Sequence, residues 1–264
     1  MIQIGGLGEN EIMSGNTRID MSGAEILWPG GPKLLQARHF RLGTDCVLLA
    51  DFVNTAGARH GIELGCASGA AMLLLLERSP TLRMTGLEIV PEAAETAREN
   101  MALNKLAERS EIVTGDIRDH RALFRAGGFD LLVCNPPYFP RGSGALPRDT
   151  DRAAARSEVK CTLPELCAAA AYLLQTGGRA CFVHRPERLS ELLVTLTQTG
   201  LEPKRLRLVC RDAQAAPSLV LVEARRGGKP GLTVEPSLYL QNPDGTESDE
   251  YKRIYHRDTS SVPG

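Results

Sequence analysis

From residue 58 onward, apolar positions fall into short continuous runs that alternate with longer segments of helical period. Gly61 to Leu64, Arg83 to Ile89, Glu111 to Thr114, residues 130–134 and Arg179 to His184 are short segments rich in apolar residues, with charged residues, Gly or Pro at or near their ends, and read as strands. Between them, Gly69 to Arg78, Pro91 to about Asn104, a stretch near 117–125, Pro164 to about Gln175 and Glu187 to Thr199 carry helix punctuation. Pro91 sits at a first turn, and Gly177-Gly178 and Gly200 act as stops. Two last strands, near 205–210 and 218–224, follow one another with no helix between. The pattern predicts an α/β fold: a doubly wound, mostly parallel seven-stranded sheet with an antiparallel strand at its end.

Ahead of that core, Phe40-Arg41-Leu42-Gly43-Thr44-Asp45 leads into the apolar run Val47 to Ala50 and Phe52-Val53. A helix is expected over about 46–54, with Thr44 or Asp45 as its N-cap. Residues 1–23 are rich in Gly, Asn and Ser and lack a period; Ile26-Leu27-Trp28 then precedes a Pro-Gly-Gly-Pro turn. After Gly227 come a short strand (Leu238 to Gln241), an Asn-Pro-Asp-Gly turn and a charged segment at 247–257. The expected division is an N-terminal extension (1–35), one large domain (36–227) and a C-terminal extension (228–264), with no internal repeat.

A net charge of −1 gives no overall basic footprint, but it averages unlike halves. Residues 1–134 carry 13 Lys and Arg against 17 Asp and Glu; residues 135–264 carry 18 against 15. Any site for a polyanion is therefore local and expected in the second half. The seven cysteines are scattered, without a Cys-x-x-Cys pair, which argues against a disulfide framework and against a metal site. The N-terminus has no signal-like apolar core, and no apolar run approaches the ~18 residues of a membrane span. A reduced, cytoplasmic protein without a membrane partner is expected.

The chemistry gathers around Phe129-Asp-Leu-Leu-Val-Cys-Asn-Pro-Pro-Tyr138. The strand stops at Asn135 because prolines cannot donate to a ladder and restrict the residue before them. A rigid turn is left at the carboxyl end of a core strand, where open α/β sheets bind ligands. The Asn135 amide oxygen and a neighbouring backbone carbonyl can accept both hydrogens of a planar –NH₂ group, and Tyr138 offers a face for stacking. A second candidate site is Glu63-Leu-Gly65-Cys-Ala67-Ser-Gly69, joining the first strand to its helix. Glycines there permit close approach to backbone, and the helix start supplies free N–H groups. The spacing does not match the Gly-x-Gly-x-x-Gly of dinucleotide binders.

This loop resembles motif I of class I S-adenosylmethionine methyltransferases, acidic-x-Gly-x-Gly-x-Gly, with Ala67 in place of the middle Gly. Two acids follow at strand ends: Glu88, about 20 residues past the Gly loop, suited to the ribose hydroxyls, and Asp116, suited to the adenine amino group. With Asn135-Pro-Pro-Tyr138 in chain order, the sequence is similar to class I amino-group N-methyltransferases. The Phe40 to Asp45 element followed by Leu48-Leu49-Ala50 narrows the likeness to the bacterial valine-tRNA adenine-37 N6-methyltransferase family, over about residues 36–225. The resemblance implies a Rossmann-like methyltransferase sheet and S-adenosylmethionine as cofactor. It implies a cofactor site of Thr44, Asp45, Glu63, Gly65, Ala67, Gly69, Glu88, Ile89, Asp116, Ile117 and Asn135. Asn135, Pro136 and Tyr138 would handle the acceptor base, and Arg148, Arg152 and Arg156 would meet the phosphates of an RNA, expected to be tRNA.

Three other functions stay open on the residues. Release-factor glutamine N5-methyltransferases carry the same Asn-Pro-Pro-Tyr, but that family has a helical domain before motif I, and here only about 60 residues precede Glu63, the first two dozen of them irregular-looking. A guanine-N2 rRNA methyltransferase shares the chemistry. A module that only binds S-adenosylmethionine or RNA would have no physical need for the Asn135 and Tyr138 pair.

Overall fold

The computed structural model describes residues 11–14, 17–20, 23–36, 41–136 and 161–257. It opens with a small antiparallel sheet of β1 (Glu11–Ser14), β2 (Thr17–Asp20), β3 (Glu25–Ile26) and β4 (Lys33–Leu34), in that order. For residues 11–14 and 17–20 the expectation of irregular structure is thus corrected: Ser14 pairs with Thr17 and Glu11 with Asp20, so β1 and β2 form an antiparallel pair. Helix α1 (Thr44–Phe52) begins two residues earlier than expected. Gly43, not Thr44 or Asp45, is its N-cap, and Asp45 lies in the first helical turn.

The alternating core follows as β5 (His60–Leu64), α2 (Ala70–Arg78), β6 (Arg83–Glu88), α3 (Pro91–Leu103) and β7 (Ser110–Thr114). The helix expected over 117–125 is a 3₁₀ turn (Ile117–Asp119) followed by one turn of helix, α4 (His120–Leu123). Next come β8 (Phe129–Cys134), α5 (Leu163–Leu173) and β9 (Leu174–His184). Helix α5 starts in a capping box, Thr162 and Glu165 each bonding the other's backbone N–H. It stops at Leu173, short of Gly177-Gly178, because Leu174 already pairs with Phe129 of β8. Residues 175–178 then bulge out of the ladder before Arg179 pairs with Leu131. The rest is α6 (Leu189–Gln198), β10 (Leu201–Cys210), β11 (Pro217–Arg226), β12 (Thr233–Val234), β13 (Leu238–Tyr239) and α7 (Asp249–Ile254).

The large sheet runs β12-β10-β11-β9-β8-β5-β6-β7, with β13 also on β10. Strands β5 to β9 are parallel, and β11 is antiparallel to both neighbours, β9 and β10. The expected seven-stranded plan holds, and the segment after Gly227 adds two short strands at one edge. That segment also forms α7 where only a charged stretch was expected; Ser248 caps it, and Arg207 holds Glu250 through two hydrogen bonds.

Period-two alternation splits the core into two layers. Leu131, Val133, Cys181 and Val183 face α1 to α3, whereas Leu132, Cys134, Ala180 and Phe182 face α5 and α6. The seven cysteines carry no disulfide. Among the described residues, no helix is long and apolar enough to cross a membrane.

Phe182 is fully buried on β9, in the layer under α5 and α6. Phe182→Ala is expected to lower unfolding free energy by about 3–5 kcal/mol, the cost of removing a core aromatic and leaving a cavity. Urea denaturation of parent and variant measures it; a loss under about 1 kcal/mol would mean that this layer repacks freely.

Candidate active site

Strand β5 pairs with β6 on one side and β8 on the other, so the winding reverses direction there. Outside the carboxyl ends of such strands, a parallel sheet opens a crevice. Glu63, Glu88, Asp116 and Asn135 all lie at or just past those ends, on β5, β6, β7 and β8.

The loop after β5 is tied to β6 first. Gly65 and Cys66 both donate their N–H to the Leu87 carbonyl, at 2.8 and 3.2 Å. The loop then turns through left-handed backbone at Gly65 (φ 71°), Ala67 (φ 46°) and Gly69 (φ 76°). Gly69 is the N-cap of α2, and a Cβ there would press on Met101 and Ala97 of α3 at 3.2 and 3.3 Å. Gly65 is exposed and nothing lies within 4 Å of where a Cβ would stand, so its φ alone demands glycine and the space over it is open. Ala67 tolerates left-handed backbone at some cost because its N–H is held.

The group that holds it is Glu88. One carboxylate oxygen accepts Ala67 N–H at 2.9 Å, and the other accepts Val90 N–H at 2.8 Å. Burial pushes the Glu88 carboxyl up, and hydrogen bonds from Val90, Ala67 and Ile89 N–H oppose it. A carboxylate offers about four lone-pair sites, so these contacts leave little spare capacity. A bidentate hold on two ribose hydroxyls therefore requires one N–H to share its oxygen or turn away.

Glu63 lies beneath the loop, 3% exposed, and accepts Met72 N–H at 3.1 Å. Burial, opposed by that bond and reinforced by Glu88, raises its pKa to about 8, so it carries a proton at neutral pH. Helix α1 brings its first turn to the same place. Desolvation, then Glu63 and Asp45, push the Cys46 thiol up. The Thr44 hydroxyl is hydrogen-bonded to the Tyr255 phenol oxygen, which links α1 to the C-terminal segment.

Asp116 caps the 3₁₀ turn after β7 by accepting Arg118 N–H at 2.9 Å, and its other oxygen pairs with the Arg118 guanidinium at 2.6 Å. An adenine amino group arriving there would compete with Arg118. Ile89 and Ile117 are half-buried beside these acids, apolar surfaces of the kind that flank a flat ring. Asn135 and Pro136 follow β8, both half-buried. Tyr138, Arg148, Arg152 and Arg156 lie outside the described residues. Among the described residues, no group of three His, Cys, Asp or Glu could hold a metal ion.

Two residues escaped the sequence reading. His184 ends β9, next to β8, and is buried. Burial and Arg188 lower its pKa to about 4, so it is neutral near pH 7, and its Nδ1 accepts Arg185 N–H at 2.8 Å. Asn100, on α3, is buried and bonds the Ser68 carbonyl of the loop at 2.9 Å. A lone His or Asn at a single position does not announce such burial or such contacts in the sequence.

The family model for the methyltransferase small domain matches residues 39–198. The chain belongs to the methyltransferase small domain family. The matched span of this family member runs from just before α1 through α6 and so contains every element of the crevice. It is 35% identical to a tRNA1(Val) (adenine(37)-N6)-methyltransferase of Porphyromonas gingivalis over 223 residues, 81% of this chain and 86% of that protein. A protein of the same name from Tolumonas auensis is 31% identical over 212 residues, covering 80% and 86%. Among solved structures, a predicted O-methyltransferase from Agrobacterium tumefaciens superposes with a TM-score of 0.65 at 20% identity, over 81% of this chain and 96% of that one. A geranyl diphosphate methyltransferase solved in complex with SAM gives 0.51 at 14% identity, over 69% and 84%. At those identities the likeness is one of fold.

The buried acid yields a pH test. Glu63 has its pKa raised from the ordinary 4.5 to about 8 in the folded protein, so the native state binds the proton more tightly than the unfolded chain. That contribution is complete below the unfolded value and is lost as pH rises toward the folded one. Glu63→Gln keeps an acceptor for Met72 N–H and removes the titration. Relative to the parent, it is expected to gain about 1.4 kcal/mol of stability per pH unit between about pH 5 and about pH 7.5. Urea unfolding across that range checks it; parallel profiles would mean that Glu63 titrates normally.

Proposed function

We propose that this methyltransferase transfers a methyl group from S-adenosylmethionine to N6 of an adenine in tRNA. The observation that carries the reading is the placement of Asn135 on the carboxyl end of β8, across β5 from the Glu88-held loop. The relatives named as tRNA1(Val) (adenine(37)-N6)-methyltransferases support the choice of acceptor. A tRNA substrate would place the enzyme in the cytoplasm.

The chain's own groups fit the cofactor. The open space over Gly65 admits a ligand against backbone, Glu88 presents a carboxylate to hydroxyls, and Ile89 and Ile117 flank a flat ring. Thr44, Asp45 and Asp116 border the same crevice, with Ala67 and Gly69 shaping its floor. S-adenosylmethionine, when bound, supplies an electrophilic methyl carried on a sulfonium.

An exocyclic adenine amine is a weak nucleophile because its lone pair is delocalised into the ring. Asn135 Oδ1 and the Pro136 carbonyl accept its two hydrogens, which draws the nitrogen toward sp³ and aims the lone pair out of the ring plane. No side chain needs a tuned pKa as general base, since a methylated ammonium loses its extra proton readily to water. Positioning and preorganised acceptors carry the rate. Tyr138 stacks on the base, which must leave its own stack to reach the turn. Arg148, Arg152 and Arg156 hold the adjoining phosphates.

The acceptor is tested by incubating the protein with total RNA and labelled S-adenosylmethionine, digesting to nucleosides and identifying the labelled one. N6-methyladenosine from the tRNA fraction is expected; label in protein or in N2-methylguanosine would overturn the assignment. Asn135→Ala tests the chemistry. It is expected to lower single-turnover methyl transfer by about 10²–10³, the loss from deleting one preorganised polar contact. Cofactor affinity is expected to stay within about threefold, because the contact proposed for the Asn135 amide oxygen is with the acceptor amine and the ribose and adenine are assigned to other residues. Transfer at the parent rate would sink the amine-methylation mechanism.

A further inference from the structure

Asn100 on helix α3 and Asn104, the C-cap of that helix, lie one turn apart, and both hydrogen-bond the extended backbone of β4 and the residue after it. Asn104 Oδ1 accepts Lys33 N–H at 2.8 Å, and its Nδ2 donates to the Lys33 carbonyl at 2.7 Å. Asn100 repeats the pattern two residues on: Oδ1 accepts Leu35 N–H at 2.7 Å, and Nδ2 donates to the Leu35 carbonyl at 2.9 Å. Alternate residues of one extended segment are thus paired by side-chain amides, as a neighbouring strand would pair them.

The second donor hydrogen separates the two. Asn104 spends its own on the Asn100 carbonyl, within the helix, at 2.8 Å. Asn100 gives its own to the Ser68 carbonyl at 2.9 Å. Ser68 is buried between Ala67 and Gly69, the two left-handed residues that turn the loop into α2. Glu88 grips that loop by accepting from Ala67 N–H, and Asn100 grips it by donating to the next carbonyl.

The segment held at Leu35 leads onward to α1. Gln36 Oε1 accepts Leu42 N–H at 2.9 Å, and Gln36 Nε2 donates to Glu25 at 3.0 Å. Leu42 stands two residues before Thr44, where α1 starts beside Glu63. One fully buried amide therefore joins the 65–69 loop to the backbone at Leu35, next to the Gln36 side chain that bonds Leu42 ahead of α1. Three of its four hydrogen-bonding positions are filled, and an aspartate there would have no hydrogen to give to either carbonyl.

We propose that Asn100 is a positioning residue for the cofactor: its amide fixes the Ser68 carbonyl and the Leu35 backbone relative to each other, so that both borders of the cofactor crevice are set by one side chain. This rests on the reading that the 65–69 loop seats S-adenosylmethionine. Because Asn100 acts on the loop and not on the Asn135 turn, its effect falls on cofactor affinity and spares the affinity for RNA.

The test compares Asn100→Asp with Asn104→Asp in the full chain. Each variant keeps the acceptor for its strand N–H and loses both donors, so each weakens the clamp on the N-terminal segment; only Asn100→Asp also releases Ser68. Titration calorimetry with S-adenosylmethionine is expected to show at least a tenfold weaker Kd for Asn100→Asp, and a Kd within twofold of the parent for Asn104→Asp. Steady-state kinetics are expected to show KM for the cofactor rising with Asn100→Asp while KM for tRNA stays within twofold. Asn100→Ser, uncharged and smaller, gives the same comparison should the aspartate not fold, and thermal melts report the stability each variant loses. Equal Kd changes in the Asn100 and Asn104 variants would overturn the proposal, since the amide would then act only through the clamp they share. Parent-like cofactor affinity in the Asn100 variants would overturn it too. A parent chain that fails to bind S-adenosylmethionine would overturn the reading of the loop itself, and the parent titration reports that separately.

Discussion

A carboxylate buried at the end of a strand must be met by donors, and at Glu88 the donors are backbone. Ala67 N–H comes from the loop after β5, and Val90 N–H from the entry to α3. One side chain thereby joins two successive crossovers of the sheet at its carboxyl edge. The left-handed backbone at Ala67 is held by that contact, and without it a buried carboxylate would lack compensation of several kcal/mol. The shape of the crevice follows from this constraint, because the loop is drawn toward β6 and leaves open the space above Gly65.

The other features of the site answer to the same geometry. Placing β8 on the far side of β5 brings Asn135 to the crevice from the opposite direction to Glu88. Asn100 supports the loop from behind by donation while Glu88 supports it by acceptance, so the loop is held through both kinds of backbone group. Glu63 beneath it carries a proton near neutrality, so the floor is polar without adding a full charge. The segment after Gly227 is joined to the same structure: β12 and β13 pair with β10, and Tyr255 reaches Thr44 at the start of α1.

Much of this was legible in the sequence because strand ends and glycine turns leave local marks. The run Leu131 to Cys134 stopped by Asn-Pro-Pro, and Pro91 opening α3, state their roles within a few residues. Other features depend on distant partners. Asn100 bonds residues 65 and 32 positions away, and in the sequence it is one more polar residue on a charged helix. Helix α5 ends at Leu173 because β8 offers Leu174 a pairing partner, a tertiary preference that overrode the glycine stop at 177–178. Asp116 was rightly placed after β7, but its engagement by Arg118 depends on side-chain geometry that spacing does not encode. The first strand pair had a signal, the two-residue Gly15-Asn16 between Ser14 and Thr17, in a stretch whose polar composition hid it.

The loop held by Glu88 is the proposed seat of the cofactor. A crystal structure with S-adenosylhomocysteine measures it directly. The ligand is expected against residues 65–69, its ribose hydroxyls within about 3 Å of the Glu88 carboxylate, a normal hydrogen-bond distance. Its base is predicted between Ile89 and Ile117, and its sulfur directed toward Asn135. A ligand bound elsewhere, or a ribose with no contact to Glu88, would contradict that placement of the cofactor.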